Sequence, residues 1–175
     1  GSQESFARRM NSRAEEIGMK DTHFVTPSGL DAEDHFSTAY DLALLAREAL
    51  ENEAFAKLAA SPRCEVTFLE PAHTVTYENH NKLLGLYEGC VGVKTGYTKK
   101  AGRCLVSAAQ REGVTLIAVT LDAPDDWDDH TALLDYGFSQ LEQARLDGSA
   151  CVVSIPVVGG GADAVEARGG QGDTF

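Results

Sequence analysis

Basic residues are scarce in this chain. Lys and Arg total 15 against 27 Asp and Glu, giving a formal net charge of -12 and a pI near 4.7. That is the wrong sign for gripping a phosphate backbone, so nucleic acid is not expected as a partner, nor is an anionic membrane surface. Long apolar runs are missing as well: no stretch reaches the roughly 18 residues that a membrane-spanning helix needs. The four cysteines, Cys64, Cys90, Cys104 and Cys151, include no C-x-x-C pair, and His23, His35, His73, His80 and His130 include no H-x-x-x-H pair. A zinc or thioredoxin-like site is therefore not expected, and no other signature in the chain calls for a cofactor. The opening residues GSQESFARRM lack the basic and apolar segments of a secretory signal. A chain that starts Gly1-Ser2 rather than with Met is read as beginning at an expression scar or an internal cut, so this lack leaves the compartment open.

What is present suits a folded protein, with 43% hydrophobic and 24% charged residues over 175 positions. Phe6, Met10, Ala14 and Ile17 draw one stripe on a helix that Gly18 stops. Residues 19–38, dense in Asp, Ser, Thr, Pro and Gly, read as a long ordered loop with one short extended piece, after which Thr38 caps a helix over 39–50. A shorter helix is expected over 53–60. Beyond Pro62 the texture becomes β. Residues 64–69 and 72–77 alternate around Glu70-Pro71, and residues 103–110 and 114–121 flank Arg111-Glu112-Gly113, both as hairpins. Between the hairpins lies a looped passage that ends in a strand near 91–95. DAPDDWDD then reads as an acidic loop before a helix over about 128–142, and 150–158 as one apolar strand followed by a weakly patterned Gly-rich tail. A boundary near Leu146 divides the chain into 1–146 and 147–175, the latter a linker with the start of a β-rich domain, or a tail.

The sharpest chemical signal is Lys94-Thr95-Gly96 at the end of a predicted strand. An extended peptide can pair with such a strand, the Lys94 ammonium and Thr95 hydroxyl can hold a terminal carboxylate, and Gly96 leaves room for close backbone approach. The K-T-G triplet is one of the signatures of penicillin-binding proteins and related β-lactamases.

Its surroundings carry a wider resemblance. MNSRAEEIGMKDTHFVTPSGLD from Met10, FSTAYDLALLA from Phe36, Asn79-x-Asn81-x-Leu83-Leu84, GVKTGYTKKAG from Gly92 and LLDYGF from Leu133 follow one another in order. Over about residues 6–142 the chain thus resembles the serine-type D-alanyl-D-alanine carboxypeptidases, the low-molecular-mass penicillin-binding proteins of peptidase family S11. The resemblance implies an α+β fold, part of a transpeptidase domain of the penicillin-binding-protein and β-lactamase type. In it helices cover a five-stranded antiparallel sheet, with the triplet on an inner strand. It implies acyl-serine trimming of peptidoglycan stem peptides ending in D-Ala-D-Ala, β-lactams as covalent inhibitors, and an extracytoplasmic setting in the bacterial envelope. Lys94 would belong to the electrostatic network, Thr95 and Gly96 to substrate binding, and the Tyr97 backbone N–H to the oxyanion hole.

Two family motifs are absent. None of Lys20, Lys57, Lys82, Lys94, Lys99 or Lys100 has a serine three positions before it, so S-x-x-K is missing, as is S-x-N. The nucleophile and general base therefore lie outside this chain, which is expected to be an inactive fragment with an unpaired sheet edge prone to self-association. A non-catalytic module that binds peptidoglycan or a partner through the same strand is the alternative. Many members also carry an arginine some twelve residues before the Phe of the Tyr-Gly-Phe block, a place that falls here near Asp126. Tyr77-Glu78-Asn79 imitates a variant of the second motif but is expected at a strand end in a structural role. Asp122, Asp125, Asp126, Asp128 and Asp129 read as a solvated loop leading into a helix, His23 and His80 as structural hydrogen-bonders, and Cys64 and Cys104 as buried.

Overall fold

The computed structural model describes residues 1–141 together with two later strands, Val152–Pro156 and Ala164–Arg168. Helix α1 (Gln3–Glu16) starts where Ser2 and Ser5 each accept a hydrogen bond from the other's backbone N–H, at 3.2 and 3.1 Å. It ends before Gly18, whose φ of 87° suits the left-handed turn that closes a helix. The loop that follows is ordered by side chains. The Asn11 amide holds Phe24 through both its N–H and its carbonyl, at 2.7 and 2.8 Å, and one isolated bridge pairs His23 with Phe36. That bridge is the short extended piece expected there.

Thr38 accepts from the Asp41 N–H at 3.1 Å and caps α2 (Ala39–Leu50), as its position predicts. Helix α3 (Glu53–Ala59) and the hairpin of β1 (Arg63–Leu69) and β2 (Ala72–Glu78) come next. A single helical turn, α4 (Leu83–Leu86), interrupts the passage read as loop, with the Asn81 side chain accepting from the Leu83 N–H at 3.1 Å.

Three strands then form the central antiparallel sheet in the order β3 (Cys90–Thr98), β4 (Gly102–Arg111), β5 (Val114–Thr120). The described residues thus hold three of the five strands that the resemblance implies in one sheet, and β1 and β2 stand apart as a pair. Helix α5 begins at Asp126 and runs to Ser139, earlier than the acidic composition suggests. Carboxylates at 126, 128 and 129 occupy its first turn, where the helix dipole favours them. Asp126 itself is buried, a correction to its reading as part of a solvated loop.

Period-two alternation along β4 sends successive side chains to opposite faces, and each face has its own apolar cover. Leu105, Ala109 and Ala118 pack with Leu134 of α5 and with Leu83 and Tyr87, whereas Val106, Ala108 and Ile117 pack with Ala46 and Leu50 of α2. The sheet is therefore a layer between α5 and α2.

Chain packing divides at Phe138 and Ser139. In the second unit β6 (Val152–Pro156) pairs antiparallel with β7 (Ala164–Arg168), a strand in the stretch that composition leaves unpatterned. Leu146 and Cys151 lie outside the described residues. Among the described residues no helix is long and apolar enough to cross a membrane.

Candidate active site

Lys94, Thr95 and Gly96 all lie on β3, which is an outer strand of the described sheet rather than the inner one expected. One of its edges is paired to β4 and the other has no partner strand among the described residues. The register sets Lys94 opposite Val106, Thr95 opposite Leu105, Gly96 opposite Cys104 and Tyr97 opposite Arg103. Directly opposed residues of an antiparallel pair share a face. Lys94 consequently lies on the α2 side with Val106, and Thr95 on the α5 side with Leu105. The ammonium and the hydroxyl of the triplet address the rim of the sheet from its two faces.

A cavity of about 660 Å³ surrounds this rim. Residues 94–98 form one wall, Ser28, Gly29 and Leu30 of the long loop another, and Arg103, Asp126 and Trp127 a third. The loop is fastened to the strand by Thr98, whose hydroxyl donates to Asp31 at 2.8 Å. Lys94 is exposed, and its Nζ donates to the Thr95 carbonyl. On the α5 side Arg103 Nη2 meets Asp126 Oδ1 at 2.6 Å, with the arginine side chain 42% exposed and the aspartate 5%. The same guanidinium lies 5.6 Å from the Trp127 ring centre, and its hydrogen bond to Asp126 favours the charged form and raises its pKa.

Behind this wall His130 is fully buried, with Nδ1 2.5 Å from the Ser107 hydroxyl and Nε2 2.9 Å from that of Thr120. Burial pushes its pKa below the usual histidine value, against the opposing pull of Asp126 and Asp129. Tyr87 donates to Asp135 at 2.7 Å, and burial together with that bond pushes its phenol up to about 12. These polar contacts fix α5, and with it Asp126 and Trp127, against the sheet.

The remaining sequence candidates sort clearly. Asn79 donates to the Ala59 and Ser61 carbonyls at 3.1 and 3.2 Å, a joint between β2 and α3 in keeping with its structural reading. His23 Nδ1 lies 2.7 Å from the Asp34 carbonyl, whereas His80 lines the cavity. Cys64 and Cys104 are half-exposed free thiols rather than buried ones. No cluster of His, Cys, Asp or Glu able to hold a metal occurs among the described residues. Sequence reasoning missed Arg103, Trp127 and residues 28–30. The first was within reach, because a hairpin turning at 99–101 makes Arg103 the cross-strand neighbour of Tyr97.

A K-T-G edge strand on an antiparallel sheet layered between helices defines a domain of the DD-peptidase and transpeptidase class. Over residues 1–125 the chain matches the profile of the peptidase S11 family, described as D-alanyl-D-alanine carboxypeptidase, and it belongs to that family. It is 37% identical over 154 residues to the carboxypeptidase DacF of Bacillus subtilis, a match covering 83% of this chain and 38% of that protein. The corresponding figures for DacB2 of Mycobacterium tuberculosis are 36%, 83% and 52%. Among solved structures, the Streptomyces K15 DD-transpeptidase superimposes with a TM-score of 0.73 at 33% identity, over 77% of this chain and 54% of that one. A D-alanyl-D-alanine carboxypeptidase from M. tuberculosis H37Rv gives 0.72 at 35% identity, over 81% and 56%. The chain spans about half the length, or less, of these relatives.

Proposed function

We propose that this chain forms the substrate-facing part of a serine-type D-Ala-D-Ala carboxypeptidase that trims peptidoglycan stem peptides in the bacterial envelope. The observation that carries the reading is the Lys94-Thr95-Gly96 triplet on the open edge of β3, facing a cavity large enough for a short peptide. The peptide adds as an extra strand along that edge, and Gly96 presents no side chain to obstruct it. Thr95 donates its hydroxyl to the ligand's terminal carboxylate, and the Lys94 ammonium supplies positive potential on the opposite face. The Tyr97 N–H stabilises the oxyanion formed when a serine attacks the penultimate carbonyl.

That serine and its lysine base come from polypeptide outside these 175 residues, since no S-x-x-K occurs within them. The serine Oγ bonds to the carbonyl carbon, D-alanine departs with the base's proton, and water then cleaves the acyl-serine ester. A β-lactam enters the same path and stalls at the ester. The absence of S-x-x-K equally supports a non-catalytic peptide-binding module. The open edge of β3 also favours self-association, for which size-exclusion chromatography is the check.

Fluorescent penicillin separates the readings. A longer gene product that includes an S-x-x-K segment should be labelled covalently, Thr95→Val and Lys94→Ala should slow its labelling, and the 175-residue chain alone should stay dark. Labelling of the chain alone would refute the placement of the nucleophile. A longer product that carries the motif yet stays dark would favour the binding module.

A further inference from the structure

The third wall of the cavity carries a cation that the K-T-G chemistry does not use. Arg103 engages Asp126 through Nη2, while its Nε is buried with no hydrogen-bond partner among the described residues. A buried unsatisfied donor is destabilising, and a native site keeps one where a ligand or ordered water completes it. The surroundings hold the guanidinium in one place. Asp126 is nearly inaccessible and fixes one nitrogen, Trp127 lies beside the planar group, and backbone pairing with Tyr97 fixes the base of the side chain. Arginine so held is a preorganised fork for a planar anion.

The register fixes which end of a ligand it meets. Arg103 and Thr95 both lie on the α5 face of the sheet, with Leu105, and both line the cavity. Lys94 belongs to the other face. We propose that Arg103, held by Asp126, is the specificity-determining contact for the ligand's terminal carboxylate, which it grips together with the Thr95 hydroxyl. Asp126 is a positioning residue: its carboxylate fixes Nη2 of the guanidinium at 2.6 Å beside the cavity that both residues line. The ligand therefore lies on β3 with its carboxylate on the α5 side, and the site selects a free chain end over an amide-capped or continuing chain. This rests on the peptide-binding reading of β3.

The test is calorimetric titration of the 175-residue chain with N-acetyl-D-alanyl-D-alanine and with its C-terminal amide. The wild-type chain should bind the acid roughly tenfold tighter than the amide, the scale of a hydrogen bond to a charged group. Arg103→Leu should erase that preference, bringing the acid-to-amide affinity ratio close to one. Arg103→Lys retains the charge without the fork, so it should lose part of the preference, and it serves as the decisive variant if Arg103→Leu does not fold by circular dichroism. Preference retained in the informative variant, or a wild-type chain that binds acid and amide equally, overturns the assignment while the peptide-binding reading stands. Failure of the wild-type chain to bind either ligand overturns both.

Discussion

The Thr98 hydroxyl donates to the Asp31 carboxylate at 2.8 Å across 67 residues of sequence, and so joins the long loop after α1 to the end of the K-T-G strand. Thr98 Oγ1 also accepts from the Ala101 N–H at 2.9 Å, so one side chain sets both the β3–β4 turn and the cavity wall at 28–30. Thr98→Val preserves shape and removes both contacts. Amide exchange at residues 28–31 should rise several-fold while the interior of β4 keeps its protection, which mass spectrometry or NMR can resolve. Unchanged exchange at 28–31 would mean that the loop is held by other contacts.

The other end of the same loop depends on Asp41. Its carboxylate is 2% exposed and accepts from the Asp21 N–H at 2.8 Å and the Thr22 hydroxyl at 2.6 Å. Removing it leaves the Asp21 N–H and the Thr22 hydroxyl without this partner. Asp41→Ala should lower the unfolding free energy by about 2–3 kcal/mol in urea titrations, and Asp41→Asn, which keeps an acceptor oxygen, by less. Equal losses in the two variants would show that packing, not hydrogen bonding, is what Asp41 supplies.

His130 makes stability depend on pH. Burial lowers its pKa in the folded chain below the ordinary 6.5, so as pH falls through that value the unfolded chain takes up a proton that the folded chain refuses. The unfolded state then binds more protons, and stability falls on acidification. The unfolding free energy of wild type should drop between pH 7.5 and 5.5 more steeply than that of His130→Gln, with Asp126 and Asp129, the charges near the ring, present in both. Parallel profiles would exclude His130 as the source.

Much of this was legible in the sequence. Thr38, Gly18 and Glu112-Gly113 carry local signals strong enough to place a cap, a stop and a turn, and the alternation in 103–110 yields both faces of β4. The K-T-G strand was found for the same reason, since its motif is contiguous. What escaped is what register creates. An acid near 126 and a basic residue at 103 look unrelated along the chain, 23 positions apart, until α5 folds back over β4 and brings them to 2.6 Å. The composition of DAPDDWDD suggests solvent exposure, yet the buried Asp126 is stable there because Arg103 and the helix N-terminus both offset its charge. The Gly-rich segment around β7 offers too few apolar positions for periodicity to register.

Gly89 and Gly113 provide a matched pair for the entrance to the central sheet. Both have φ of 82°, where an L side chain is strained. A Cβ at Gly113 meets nothing within 4 Å, but one at Gly89 falls 2.5 Å from the backbone carbonyl oxygen of Gln110. That carbonyl cannot swing aside freely, because the Gln110 N–H donates to the Gly89 carbonyl at 2.8 Å and the two segments must stay paired. Gly113→Ala should therefore cost only the backbone strain, about 1 kcal/mol, whereas Gly89→Ala should cost that plus the displacement of β4 from the start of β3. The expected outcome in denaturant titrations is a loss for Gly89→Ala at least about twice that for Gly113→Ala. The larger loss should come with faster amide exchange at Gln110. Equal losses in the two variants would show that the contact relaxes at no cost and that Gly89 is required for its backbone angle alone.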